Sequence, residues 1–184
     1  MDIEELLERY AAGERDFRDV DLSYSDLIDV NLSDTDLSES DISATNFTNA
    51  NLSRANLSKS MVMGAIFECA DLSYANLSAS DLTECDFSDA NLVGANFSGS
   101  EMFTAILRGA NLTGVCLNNV SLNHANLAGA NLTDADLSGA SLDRANLTGA
   151  NLTGVKNANI SGAIIYTTTT MPDGNVVEHR QICE

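Results

Sequence analysis

The chain has 184 residues, the size of a single domain, and its 27 acidic residues outnumber its 9 basic ones, giving a formal net charge of −18. This charge argues against direct nucleic-acid binding, because phosphate backbones attract basic side chains. No apolar run is long enough to span a bilayer, and the acidic N-terminus lacks the basic and apolar segments of a signal peptide. We therefore expect a cytoplasmic protein that contacts neither membranes nor nucleic acids directly.

The first predicted element is a short amphipathic α-helix over residues 2–12. Asp2 is a suitable N-cap, glutamates follow in the first turn, and Gly13 is suited to end the helix. The apolar residues of the segment fall on one helical face, which comprises Ile3, Leu6, Leu7 and Tyr10. That face requires a partner, either the segment that follows or another protein.

The segment that follows repeats with a period of five. Counting in fives from Phe17, every position as far as Leu152 is apolar, and the residue two places earlier is almost always small, as at Ala75, Cys85 and Ala95. A period of five fits neither an α-helix nor a β-strand. It fits a solenoid whose chain bends once per unit, so that four bends close a coil of about twenty residues and coils stack about 4.8 Å apart.

Several units are close to one another in sequence, such as Ala50-Asn51-Leu52-Ser53-Arg54 and Ala130-Asn131-Leu132-Thr133-Asp134. They resemble the A(D/N)LXX unit of pentapeptide-repeat proteins over residues 15–167. The resemblance implies an all-β fold, a right-handed quadrilateral β-helix, and the length of the repeat gives it about seven to eight coils. Because a solenoid has an open apolar end that must be covered, we expect residues 1–14 to form an N-terminal capping α-helix. The predicted core includes Phe47, Phe67, Phe87, Leu72, Leu92, Leu112 and Leu132. The resemblance implies little about activity, since most members of that family have no assigned function.

The repeat loses its register after Leu152 and resumes out of phase over residues 158–165. Two β-prone runs then flank a Pro-Asp-Gly sequence at 172–174, which predicts a hairpin. We expect residues 168–184 to form a tail or hairpin that caps the second end of the solenoid, although a dimerisation surface is an alternative. The side chains expected to lie on the last coil are Tyr166, Val176 and Ile182.

Side chains with catalytic or metal-binding chemistry are few. His124 and His179 lack neighbouring cysteines or paired carboxylates at ligand spacing, and we find neither a phosphate-binding loop nor a nucleophile elbow. Cys85 is expected to point inward, whereas three other cysteines are expected to be exposed thiols: Cys69, Cys116 and Cys183. We therefore predict a protein that is not an enzyme and that has no cofactor, no catalytic residue and no metal site.

The negative charge is concentrated in the first half of the chain, where residues 1–101 carry 21 acidic and 5 basic residues. A twenty-residue coil stacks like charges there: Asp16 under Asp36, Asp21 under Asp41, and Asp19 under Glu39. A solvated acidic face explains these stacks, and weak collection of divalent cations is the alternative. The charge also approaches that of duplex DNA of similar length. The resemblance to pentapeptide proteins of quinolone resistance thus implies an alternative function, that of a DNA-mimicking protein that binds gyrase or topoisomerase.

Seven apolar residues occupy outward positions, where the repeat usually places polar residues. They fall on two adjacent faces of the predicted solenoid and are here called the apolar flank: Tyr24, Ile28, Met61, Met63, Ile66, Phe103 and Ile106. Clustered exposed apolar residues indicate an interaction surface, whereas isolated ones require no explanation. We therefore predict a rigid scaffold that binds a protein partner through this flank, with a homodimer as one possibility.

Overall fold

The computed structural model describes residues 1–166, 168–177 and 181–182. Of residues 181 and 182 it describes only the backbone. Its regular elements are one helix and two short strands: α1 (Ile3–Ala11), β1 (Ile164–Ile165) and β2 (Gln181–Ile182). Between residues 15 and 157 the chain alternates tight turns with single bridging residues, one of each per five residues. Extended strands are absent from this segment because each side of a coil ends in a turn after one unit.

Parallel bridges join each coil to the next at an interval of twenty residues, from Asp16 with Asp36 to Asp136 with Lys156. Backbone hydrogen bonds run to both neighbouring coils. Leu72 N–H donates to the Asn91 carbonyl at 2.8 Å, and Asn91 N–H donates to the Ala70 carbonyl at 2.9 Å. The chain is therefore a β-helix with twenty residues and four turns per coil.

The interior is filled by the central residue of each unit. All seven predicted core residues have 0% exposure, and they lie in a continuous apolar cluster: Phe47, Phe67, Phe87, Leu72, Leu92, Leu112 and Leu132. The three phenylalanines lie on the same side of successive coils, and their rings stack nearly parallel with centroids 5.2 and 4.9 Å apart. Such stacking orders the axial column, because each ring contacts the rings above and below it.

The small residues of the repeat form a second inward layer, and some of them are polar. Ser60 and Ser80 are buried, and their hydroxyls donate to the Leu37 and Leu57 carbonyls at 3.0 and 2.8 Å. These bonds allow a hydroxyl to replace a methyl group in the core, since a buried polar group is stable when it is hydrogen-bonded.

Enlarging this layer should destabilise the solenoid. Ala75 is 1% exposed, so Ala75→Leu should lower the free energy of unfolding by about 1–3 kcal/mol, because a tightly packed core cannot accept the added side-chain atoms without strain. Urea denaturation followed by circular dichroism measures the loss. Ala79→Leu is the matched control, since Ala79 belongs to the same five-residue unit but its side chain is exposed. Equal losses from both variants would contradict the expected tight packing.

The helix α1 is joined to the first coils by apolar contacts and hydrogen bonds. Its N-cap Asp2 accepts a hydrogen bond from Glu5 N–H, and Leu6 is completely buried in the same cluster as Phe17. Tyr10 Oη donates to the Ser33 carbonyl at 3.3 Å. The helix occupies Ile3–Ala11 rather than residues 2–12, because the residues at either end serve as its caps.

The last coil is shorter than the others. Asn146 pairs with Ile164, eighteen residues later, and Asn151 pairs with Thr170, nineteen residues later, whereas the earlier bridges join residues twenty apart. The out-of-phase segment seen in the sequence thus forms a shortened coil that still completes the stack. Its inward side chains are fully buried: Ala163, Ile165 and Thr169.

A hairpin follows the last coil, with an antiparallel bridge between Thr170 and Val176, and β1 pairs antiparallel with β2. The prediction that Val176 lies on the last coil is wrong, since this side chain is 56% exposed. Val177 packs against the core instead, because successive residues of an extended segment point to opposite faces. Tyr166 is half-buried. The predicted position of the Ile182 side chain lies outside the described residues, as do His179 and Cys183.

Candidate functional site

The seven residues of the apolar flank are all exposed, by fractions from 37% at Ile106 to 85% at Tyr24. Their exposure follows from their place in the unit. Ile66 and Ile106 are outward bridging residues that precede a central core residue, whereas Met63 and Phe103 are outward residues that follow one. The two adjacent faces that carry them share one edge of the β-helix.

The bridges between coils show which residues lie above and below the apolar residues along the axis of the β-helix. Met61 bridges Asp41 on one side and Asp81 on the other, and Asp86 bridges both Ile66 and Ile106. Acidic side chains therefore divide the flank, so that apolar residues alternate with acidic ones along the axis.

Phe103 has a neighbour that the sequence did not indicate. Its ring lies against the imidazole of His124, with centroids 5.3 Å apart and planes inclined by 62°. His124 comes from the next coil, and its backbone N–H donates to the Asp143 carbonyl at 2.9 Å. The exposed ring of Phe103 is thus held in place by a packing contact, which limits the entropy lost when a partner covers it.

Side chains on the other faces bond to one another instead. Amide ladders run up these faces, as where Asn76 Nδ2 donates to Asn56 Oδ1 at 3.0 Å and Asn96 Nδ2 donates to Asn76 Oδ1 at 3.1 Å. Asn91 Nδ2 donates in the same way to Asp71 Oδ1 at 2.9 Å. At Met61, Ile66 and Ile106 the equivalent outward side chain cannot take part in such a ladder. The apolar residues of the flank therefore make no side-chain hydrogen bonds like those between Asn56, Asn76 and Asn96 on another face.

Several carboxylates of the first coils accept hydrogen bonds that stabilise their charged form. Asp16 accepts two hydrogen bonds from the Arg18 guanidinium, at 2.8 and 2.7 Å, which lowers the pKa of that carboxyl to about 2. The side-chain hydrogen bond from Ser23 likewise lowers the pKa of Asp21, and that from Arg54 lowers the pKa of Asp34.

The predicted stacks of Asp16 with Asp36 and of Asp21 with Asp41 coincide with bridges of the β-helix. Glu39, predicted to stack on Asp19, is in addition 3.4 Å from the Lys59 ammonium. In the described part of the chain, no three His, Cys, Asp or Glu side chains are grouped to hold a metal ion.

Tyr74 is an exposed aromatic residue that sequence analysis missed, with 66% of its surface accessible. Its ring lies across Gly94 of the next coil, where an added Cβ would lie 2.7 Å from Tyr74 Cε1. Gly94 has a φ of +65°, a value that also favours glycine. The signal was present in the sequence as a tyrosine followed twenty residues later by glycine.

The cysteines of the described segment are free thiols. Burial raises the pKa of the Cys85 thiol to about 12, and its Sγ donates to the Val62 carbonyl at 3.0 Å, so this thiol acts as a small core group. Cys69 is exposed, and Cys116 Sγ is 3.1 Å from Ser98 Oγ. Among the described residues the surface has no pocket, and no helix is long and apolar enough to cross a membrane.

Solved structures that are similar to this chain include HetL, Rfr23 and QnrB1. HetL from Nostoc sp. strain PCC 7120, a pentapeptide repeat protein involved in heterocyst differentiation regulation, is 27% identical over 96% of this chain and 100% of HetL, with a TM-score of 0.30. Rfr23, a pentapeptide repeat protein from Cyanothece 51142, is 26% identical over 92% of this chain and 99% of its own, with a TM-score of 0.25. Trypsin-treated QnrB1, a plasmid-mediated fluoroquinolone resistance protein, is 21% identical over 82% and 87% of the two chains, with a TM-score of 0.48. No curated protein matches the chain.

The chain also matches a protein-family model over most of its length. The family model "Pentapeptide repeats" matches in eight copies, and the matched segments include residues 16–54, 31–68, 70–109, 85–123, 105–144 and 125–165. These segments coincide with the bridged coils, each of which places one apolar residue per unit in the core. The chain therefore belongs to the pentapeptide repeat family.

Proposed function

We propose that this protein is a non-enzymatic scaffold that binds a protein partner through the apolar flank. The observation that carries the proposal is the presence of exposed apolar side chains at Met61, Ile66 and Ile106, outward positions of the kind that carry amide ladders on another face; these side chains are 56%, 38% and 37% exposed. Their backbones pair with the neighbouring coils, but their side chains contribute no hydrogen bond to the β-helix. The backbone pairing of the coils therefore does not account for apolar side chains at these positions. The free thiols of Cys69 and Cys85 support a further part of the proposal, that the protein acts in the cytoplasm.

Both ends of the β-helix are also part of this proposed scaffold. We propose that α1, within residues 1–14, caps the first coil of a right-handed quadrilateral β-helix over residues 15–167, and that residues 168–184 cap the last coil. The burial of Leu6 in the core cluster supports the first cap, and the packing of Met171 and Val177 against the same cluster supports the second. Covered ends would leave the sides of the rod as the surface for a partner.

The test is a pull-down with the purified chain as bait in a lysate of its native cell. Met63→Asp combined with Phe103→Asp should abolish capture of the partner while leaving the circular dichroism spectrum and melting temperature unchanged, because both side chains are about half exposed at 50% and 44%.

The matched control is Ser73→Asp combined with Thr113→Asp, which adds the same charge at equivalent outward positions two coils apart on another face. Unfolding of the flank variant would show that Met63 and Phe103 are structural. Equal loss of capture in the control pair would show that added charge, rather than the flank, controls binding.

A DNA-mimicking protein that binds gyrase or topoisomerase is the second candidate function. It is supported by the 21 acidic residues within residues 1–101, against 5 basic ones. The ion pairs of Asp16 with Arg18 and of Asp34 with Arg54 neutralise part of that charge, which favours the first candidate. Capture of a topoisomerase that survives the change of Met63 and Phe103 would favour the second.

A further inference from the structure

The apolar flank has a period along the β-helix. Met63 with Ile66 recurs two coils later as Phe103 with Ile106, forty residues on. Tyr24 and Ile28 lie two coils earlier on the same two faces, at outward positions next to the equivalent ones, which Ser23 and Asp26 occupy. Two coils span about 10 Å at the usual spacing of neighbouring strands. The flank therefore presents three apolar positions about 10 Å apart along the axis of the rod.

The coil between the second and third apolar positions is acidic and lacks ion pairs. Asp81 and Asp86 lie in it as bridging residues, and Glu84 lies at one of its turns. Within the described part of the chain, none of these three carboxylates forms an ion pair, in contrast to Asp16 and Asp34. Asp81 Oδ1 accepts a hydrogen bond from Thr83 N–H at 3.1 Å, and Asp86 Oδ1 accepts one from Ser88 N–H at 2.8 Å. The second oxygen of each carboxylate remains available to a partner.

A second copy of this chain is a poor occupant of the flank. Two flanks laid against each other would bring acidic residues such as Asp81, Asp86 and Glu101 of both copies together. Like charges across an interface oppose association, and the net charge of −18 on each chain adds to the repulsion. The charge of the flank therefore calls for a basic partner.

The spacing identifies the shape of that partner. Residues i, i+7 and i+14 of an α-helix lie on one face and about 10.5 Å apart, and residues i+3 and i+4 lie between the first two of them. Apolar residues at i, i+7 and i+14 would thus match the three apolar positions, while lysine or arginine at the intermediate positions would face Asp81 and Asp86.

We propose that the apolar flank binds a basic amphipathic helix of another protein, lying along the axis of the rod. This inference rests on the proposed function and specifies its partner. Apolar contacts would provide the area of the interface, and the unpaired carboxylates would select basic helices over acidic ones.

A synthetic helix tests the inference directly. The probe is a peptide of leucine and lysine with leucines at i, i+7 and i+14 and one tryptophan on the apolar face. Because the chain itself contains no tryptophan, the emission of the peptide reports binding without interference. We expect a blue shift that saturates on titration with the protein, and no shift with the same peptide carrying glutamate in place of lysine. The absence of a shift with the lysine peptide, or equal shifts with both peptides, would overturn the inference.

Two paired variants assign the binding to the flank. Asp81→Asn with Asp86→Asn should weaken binding about tenfold, because each removes one charge that faces the helix. The control pair is Asp36→Asn with Asp71→Asn, which removes the same charge on other faces. Each new asparagine keeps the Oδ1 atom that accepts the hydrogen bond from the Nδ2 group of Asn56 or Asn91. We expect the control pair to bind within about twofold of the unchanged chain. Equal weakening by both pairs would show a nonspecific effect of net charge and overturn the inference.

The same variants separate this inference from the proposed function. If the natural partner captured in the pull-down is lost with Met63→Asp and Phe103→Asp but retained in full with Asp81→Asn and Asp86→Asn, the scaffold function stands and the basic helix is wrong. If both flank variants lose the partner and the control pair retains it, both proposals are supported.

Discussion

Replacing Phe67 with alanine should lower the free energy of unfolding by about 3–5 kcal/mol, the largest effect expected of any single core truncation in this chain. Phe67 is 0% exposed, and its ring stacks on Phe47 at 5.2 Å and on Phe87 at 4.9 Å. The change removes both contacts and leaves a cavity at the centre of the column. In a solenoid each coil contacts only its neighbours, so few other side chains can move in to fill the space.

Urea denaturation followed by circular dichroism measures this loss, and Phe103→Ala is the matched control. Phe103 is 44% exposed and contacts the His124 ring at its edge, so its truncation should cost less than about 1 kcal/mol. If the two substitutions prove equally costly, the phenylalanine column does not stabilise the β-helix in the manner described.

Introducing a charge at Leu6 should have the second largest effect. Leu6 is 0% exposed and belongs to the same core cluster as Phe17 and the other central residues of the coils. Leu6→Asp removes an apolar group from this cluster and places a carboxylate in it, so we expect α1 to detach at a cost of about 3 kcal/mol. The detached helix would leave the first coil exposed, and the variant should therefore also self-associate.

Chemical denaturation gives the loss of stability, and sedimentation velocity at increasing concentration detects the self-association. Ala11→Asp adds the same charge to the same helix at an exposed position, and it should leave the sedimentation coefficient unchanged and the stability nearly so. A monomeric and fully stable Leu6→Asp variant would show that α1 does not cap the rod.

The period of five made the coil predictable. Each unit places a large apolar residue, such as Leu72, two positions after a small one, such as Ala70, and this local alternation specifies which side chains point inward. Because the period is unbroken from Phe17 to Leu152, the columns of stacked residues could be listed by counting in twenties. The parallel bridges of the structure, such as Asp21 with Asp41, follow that count.

The candidate site was predictable in its members but not in its arrangement. The exposed positions of Met63 and Phe103 follow from the repeat, since any residue after the central one faces outward. The count in twenties also places Asp86 between Ile66 and Ile106. That Asp86 has no ion pair with any described residue depends instead on where the neighbouring basic side chains extend. The five-residue period of the sequence does not specify the rotamers of these long basic side chains.

The repeat predicts the twenty-residue coil, the inward columns and the acidic, partly apolar exterior, because all three depend on residues within one unit or at a constant interval. The complete burial of Leu6, the shortened last coil, the outward position of Val176 and the contact of Tyr74 with Gly94 are instead set by tertiary packing. These features arise where the repeat ends or where one side chain meets another across coils. There packing and hydrogen bonding between particular atoms, rather than periodicity, select the conformation.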